Sequence, residues 1–142
     1  MVDIISKEEL ERAFDSRFPA ETKAKLADAR VAVAGLGGLG SNIAVMLARS
    51  GVGHLFLVDF DVVDVTNLNR QAYSASHIGK PKTEAIKDII AEINPYLNVE
   101  VCCKTVDESN AEELFGSYDI VCEAFDRAEN KSMLISSLLS AC

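Results

Sequence analysis

The chain has 142 residues, 49% of them hydrophobic, and a formal net charge of −8 at pH 7. That length suits one domain with a sizeable core, and the acidic balance argues against a general nucleic-acid surface, which would be basic. No apolar run approaches the roughly 18 residues of a membrane span, and the opening MVDIISKEELERAF lacks the basic-then-apolar order of a secretion signal; the expected compartment is cytoplasmic.

Ser6 to Ala29 reads as helical, with Ser6 and Glu9 as a capping box and Pro19 as the break between two segments. RVAVAG follows as a short apolar strand that ends at glycine. Gly40 to Arg49 forms a helix, closed by Ser50 and Gly51, and HLFLVDF a second strand. Residues 60 to 81 read as irregular. Lys82 to Ile93 is a helix with Ile86, Ile89, Ile90 and Ile93 on one face and Pro81 suited to its first turn. VEVCCKTV is a third strand, Ala111 to Phe115 a short helix, YDIVCEAF a fourth strand, and Glu129 to Cys142 helical again. Alternating strands and helices predict a Rossmann-like α/β domain, its parallel sheet covered by helices on both faces. A lead-in is expected over 1–30 and the nucleotide domain over 31–142. Cys102, Cys103, Cys122 and Cys142 form no CxxC pair, which excludes a zinc ribbon.

Ligands of such sheets bind beyond the carboxyl ends of the strands. The segments following those ends are Gly35 to Ser41, Asp59 to Lys82 and Asp126 to Lys131. In the first, Gly35, Gly37, Gly38 and Gly40 let the backbone turn tightly and approach a phosphate, and Ser41 opens a helix whose free N–H groups face the anion. Asp59, ending the second strand, stands where a carboxylate holds ribose hydroxyls. No GKS or GKT follows, so this is not a Walker loop; the glycines alone do not separate NAD, FAD and ATP. The second segment is long for a compact domain and rich in Asp, Asn and Arg, as functional loops are. Asp126 also reads as an N-cap of the final helix.

GxGGxGS, then DxDxVxxxNLNRQ from Asp59 to Gln71, then the lysine of IGKPK, then an Asp after the fourth strand, together resemble the ubiquitin-activating-like superfamily, the ThiF/MoeB/HesA group. The resemblance runs from about Arg17 to the last residue. It implies a Rossmann-like fold and MgATP as ligand. By matching position, Asp59 holds the ribose, Asn67, Arg70, Gln71 and Lys82 contact the phosphates, and Asp61 shapes the loop and touches the nucleotide. Asn69 belongs to the same motif. Asp126 positions Mg2+ or the reacting α-phosphate, and Arg17 matches an arginine that reaches the γ-phosphate from a partner subunit. The implied activity is ATP-dependent adenylation of the C-terminal glycine carboxylate of a ubiquitin-like sulfur-carrier protein. FDRAENK, and a lead-in without the family's RYxRQ, look most like the shorter ThiF-type proteins of thiamine (thiazole) biosynthesis, with a ThiS-like carrier.

That chemistry suits these side chains. A carboxylate is already ionised near neutral pH; bringing it to an anionic phosphate needs oriented cations, backbone N–H groups and a metal, not a base. Arg70, Lys82 and Asp126 are therefore the expected catalytic set, and His54 and His77 are expected to be structural. Alternatives are a MoeB-like activator of molybdopterin synthase, the enzyme that adenylates and dehydrates a modified tRNA base, an NAD-dependent oxidoreductase, and a non-catalytic partner. The charge disfavours the tRNA reading; the oxidoreductase leaves Arg70, Gln71 and Lys82 without a role. The chain stops within a helix-like stretch after four strands, so the sheet is expected to be incomplete and to pair as a homodimer through its open edge.

Overall fold

The structure, a computed structural model, describes residues 4–142. Two short helices, α1 (Lys7–Asp15) and α2 (Ala20–Asp28), precede β1 (Arg30–Ala34), α3 (Gly40–Arg49), β2 (His54–Val58), α4 (Lys82–Ile93), β3 (Asn98–Cys102), α5 (Ala111–Phe115), β4 (Ile120–Glu123) and α6 (Ala128–Ser140). The Ser6 hydroxyl accepts from the Glu9 N–H at 3.2 Å while the Glu9 carboxylate accepts from the Ser6 N–H at 3.1 Å, the expected capping box. Pro19 stands just before α2, where its missing N–H removes no helical bond.

The four strands are all parallel, in the order β3-β2-β1-β4. Pairing is in register, with Val31 opposite Leu55 and Val33 opposite Leu57 on one face, and Ala32 opposite Phe56 and Ala34 opposite Val58 on the other. The first face packs on Ala44 and Ala48 of α3 and on Ala85, Ile86 and Ile90 of α4. The second packs on Ala111 and Phe115 of α5 and Leu134 of α6. Each large side chain fully buried this way contributes about 1.5–3 kcal/mol of hydrophobic free energy. Burial on both faces explains why the strands read as continuous apolar runs.

β1 and β2 end one and two residues before the expected Gly35 and Phe60, and the other two strands fall further short. β3 stops at Cys102 because β2, the strand it pairs with, stops at Val58; Cys103 to Val106 has left the ladder. β4 covers only Ile120–Glu123, within the expected 118–125. The segment 60–81 is irregular, as expected, but holds two single 3-10 turns, Val65–Asn67 and Ala75–His77. Val62 and Pro81 pair as an isolated bridge that closes its base.

The lead-in helices sit at the amino ends of the strands. The Gly53 N–H donates to Leu26 O at 2.9 Å and the His54 N–H to Ala29 O at 3.2 Å. Phe14 and Phe18 stack 6.0 Å apart and line an apolar cleft there with Gly53, His54 and Asn98. Among the described residues, no helix is long and apolar enough to cross a membrane.

Candidate nucleotide site

At the opposite end, the segments that leave all four strands enclose a cleft of about 350 Å³. Gly35, Gly37, Asp59, Asp61, Gln71, Lys82 and Asp126 line it. These expected residues lie up to 91 positions apart in sequence, from Gly35 to Asp126. β1 separates β2 from β4, so the chain's route through the sheet reverses beside β1, where ligands of such folds bind.

The glycines divide into two kinds. At Gly35 the backbone has φ 97°, and a Cβ would stand 2.9 Å from Ala124 O. At Gly40 it would stand 1.6 Å from Gly35 O. These two are required by the fold. At Gly37 a Cβ would meet only the Gln71 amide nitrogen, 3.7 Å away, so packing does not demand glycine there. Its bare backbone faces the cleft instead, as a close approach by a phosphate requires.

Asp59 ties the loops together: one carboxylate oxygen accepts from the Leu36 N–H and the other from the Asp61 N–H, both at 2.7 Å. Lys82, only 5% exposed, begins α4 with its Nζ 3.5 Å from the exposed Asp61 carboxylate. Burying an ammonium group is costly unless it is paired; a single exposed partner leaves Lys82 open to a second anion. Gln71 is buried, and its Oε1 has no hydrogen-bond partner among the described residues, an unsatisfied group of the kind functional sites hold. Asp126 is exposed and forms no hydrogen bond or ion pair among the described residues. It is not the cap of α6: that position is Arg127, which gives no side-chain cap bond.

The other expected residues lie outside the cleft lining. Gly38 packs against the Arg70 stem. The Arg70 guanidinium donates to Thr66 O at 3.1 Å and to Asn69 Oδ1 at 3.0 Å, so it is held along its own turn. The Asn67 side chain accepts from the Asp64 N–H at 2.8 Å and completes the cap of that turn. The Thr66 hydroxyl and N–H hold the Asp64 carboxyl below its usual range. Ser41 is fully buried; its hydroxyl donates to Gly37 O at 2.6 Å and accepts from the Ala72 N–H at 3.1 Å. Arg17, between Phe14 and Phe18, stands at the far end of the sheet. His54 lies at that far end too, and His77 Nδ1 accepts from the Ser74 N–H at 2.9 Å; neither lines the cleft.

Sequence reasoning missed Lys104, Thr105, Arg127 and Asn130, which line the cleft. Lys104 and Thr105 come from the end of VEVCCKTV, read as part of the third strand. It also missed Tyr73, whose buried hydroxyl donates to Leu36 O at 2.6 Å. Burial, and then the charges of Asp59 and Asp61, push this phenol far above its ordinary range, so it remains a donor.

The donors present suit a magnesium ion that arrives with a nucleotide. Among the described residues no cluster of three or more His, Cys, Asp or Glu could hold a metal unaided. Mg2+ commonly takes one or two carboxylates and completes its shell from phosphates and water. Asp126, with both oxygens free, is the carboxylate available.

The chain matches known proteins over most of its length. It is 37% identical over 125 residues to a molybdopterin-synthase adenylyltransferase of Salmonella typhimurium, covering 87% of this chain and 50% of that protein. It is 38% identical over 121 residues to a tRNA threonylcarbamoyladenosine dehydratase of Haemophilus influenzae, covering 84% of this chain and 46% of the other. The crystal structure of the Escherichia coli tRNA N6-threonylcarbamoyladenosine dehydratase in complex with ATP superposes with a TM-score of 0.88 at 32% identity, over 98% of this chain and 59% of that one. The chain thus spans about half the length of the curated relatives it matches. With the Rossmann-like sheet, the glycine loop and the Asp59 to Lys82 segment in place, and the ThiF family model matching residues 10–139, the chain belongs to the ThiF family.

Proposed function

We propose that this chain is the nucleotide-binding part of an adenylyltransferase that binds MgATP and activates a carboxylate. The observation that carries this reading is the composition of one cleft: the exposed backbone of Gly37, the buried ammonium of Lys82 and the unbonded carboxylate of Asp126. The acceptor carboxylate attacks the α-phosphorus, the bond to the bridging oxygen of the β-phosphate breaks, and acyl-adenylate and pyrophosphate result. Lys82 and the loop N–H groups neutralise phosphate charge in this step. Mg2+, held by Asp126 and the phosphates, would add further charge neutralisation. Arg70 contributes after its guanidinium leaves Thr66 and Asn69, and Asp59 keeps spare lone pairs for ribose hydroxyls.

The acceptor we favour is the C-terminal glycine of a ubiquitin-like sulfur carrier. The names of the relatives weigh toward the carrier of molybdopterin synthase over the thiazole carrier that FDRAENK implies. Arg17 lies at the far end of its own sheet from this cleft; a homodimer in which it reaches the cleft of a second copy is the arrangement that would give it the role its motif position implies. A second reading, a dehydratase acting on a modified tRNA base, draws on the ATP-bound structural neighbour; the net charge of −8 counts against it.

Exchange of labelled pyrophosphate into ATP, with a carrier ending in Gly-Gly or with tRNA as acceptor, separates these readings. Carrier-dependent exchange and an acyl-adenylate seen by mass are expected. Tight NAD binding with no response to ATP would overturn the adenylation reading altogether.

A further inference from the structure

Three side chains, Tyr73, Ser41 and Asn42, join the glycine loop to the segment from Arg70 to Tyr73. Tyr73 Oη donates to Leu36 O at 2.6 Å. The Ser41 hydroxyl donates to Gly37 O at 2.6 Å and accepts from the Ala72 N–H at 3.1 Å. Asn42 Nδ2 uses both its hydrogens, one on Gly38 O at 2.7 Å and one on Arg70 O at 2.9 Å. Three successive carbonyls of the loop are thus each held by a side-chain donor. An oxygen held inward by a donor cannot turn toward a phosphate, and a peptide plane fixed by its oxygen has its N–H fixed as well. The N–H groups of Gly37 and Gly38 give no hydrogen bond among the described residues, which leaves them for an anion.

We propose that Tyr73, Ser41 and Asn42 form a clasp that sets the orientation of the Leu36 to Gly38 peptides for phosphate binding, with Tyr73 its chief positioning residue. The clasp rests on the nucleotide reading above and adds to it a reason why the loop is ready before ligand arrives. It also fixes the backbone of Arg70 and Ala72, and so of Gln71 between them, relative to the loop. Tyr73 is suited to the part because its ring is packed in the core beneath the loop, which leaves the hydroxyl little freedom to swing away. Asn42 is suited because an amide has two donors in one plane and can span two carbonyls at once.

The test uses Tyr73→Phe, which removes one oxygen and keeps the ring, and Asn42→Ala, which lies nearer the surface and remains informative if the first variant folds poorly. In the ligand-free protein, hydrogen exchange of the amides of residues 36–40 should rise about tenfold in each variant, the size expected when a buried carbonyl loses its donor, while exchange in β2 and β3 stays as in the wild type. By calorimetry, MgATP should bind each variant about tenfold more weakly, and adenosine, which lacks phosphates, within twofold of the wild type. Unchanged loop exchange in both variants overturns the clasp. So does an equal loss of ATP and adenosine affinity, because a purely structural role would weaken both. A wild-type chain that ignores ATP would refute the nucleotide reading alone, since the exchange measurement needs no ligand.

Discussion

Gly37 and Gly40 lie three positions apart in one loop, and replacing each by alanine should have opposite consequences. At Gly40 the new methyl would stand 1.6 Å from Gly35 O and 2.6 Å from Gly35 C. Both are backbone atoms at the tightest point of the loop, so neither can swing aside. Overpacking typically costs 1–3 kcal/mol and occasionally more; a clash with main chain belongs at or above the upper end, about 3 kcal/mol. For a domain of this size that lowers Tm by roughly 10 °C. At Gly37 the methyl would meet only the Gln71 amide nitrogen at 3.7 Å, an ordinary contact, and φ lies outside the left-handed region. Stability should therefore hold or rise by up to about 1 kcal/mol, through the lower entropy of the unfolded chain. The same methyl occupies the face from which a phosphate approaches. Losing a hydrogen bond to a charged group costs about 1.5–3 kcal/mol, a ten- to hundredfold loss of ATP affinity. Thermal melts and calorimetric titration with MgATP measure both. A folded Gly37→Ala chain with wild-type ATP affinity would refute the phosphate assignment; a Gly40→Ala chain that melts like the wild type would refute the packing.

Lys82→Met keeps the buried stem and removes the charge, so the fold should survive while carrier-dependent pyrophosphate exchange falls about 10²- to 10³-fold, in line with the loss of one preorganised electrostatic contact. Asp126→Asn breaks no hydrogen bond in this structure; circular dichroism and Tm should match the wild type while the magnesium concentration needed for exchange rises. His77→Ala should leave exchange near the wild-type rate, and its abolition would show that a base is needed after all. Iodoacetamide should label the exposed Cys103 and Cys142 first and Cys122 last, by mass spectrometry at pH 8, because burial raises the Cys122 thiol. The unfolded chain releases that proton first, so the Cys122 contribution to stability is present below the ordinary thiol pKa and declines as pH rises above it.

The helices and strands were legible because their cues are local. Ser6 with Glu9 specifies a cap, and the isoleucine spacing from Ile86 to Ile93 specifies a buried helical face. The cleft was legible because its residues lie in motifs next to strand ends, a position that chain order alone reveals. The ends of β3 and β4 were not, since a strand stops where its neighbour stops, and Cys103 to Val106 is as apolar and β-prone as what precedes it. For the same reason Lys104 and Thr105 were read as strand, although they belong to the cleft. The Arg70 guanidinium was placed on the phosphates by motif position; in the ligand-free fold its nearest acceptors are Thr66 O and Asn69 Oδ1, a competition no spacing reports. Tyr73 escaped notice because its hydroxyl matters only through a carbonyl 37 residues earlier.

β1 lies between β2 and β4, and that order acts as a ruler. Neighbouring strands stand about 4.8 Å apart, so the segments carrying Asp59 and Asp126 leave the sheet roughly 10 Å from each other, with the glycine loop midway. The width of the cleft is therefore written into main-chain hydrogen bonds and cannot drift with side-chain substitution. The segment from Phe60 to Pro81 is tied to that ruler twice, at its base, where Val62 meets Pro81, and at its middle, where Arg70, Ala72 and Tyr73 bond to the glycine loop and the start of α3. Between those ties only the exposed turns, Asp64–Thr66 and Ser74–Ser76, are left to vary in charge while the separation between nucleotide-facing groups stays the same.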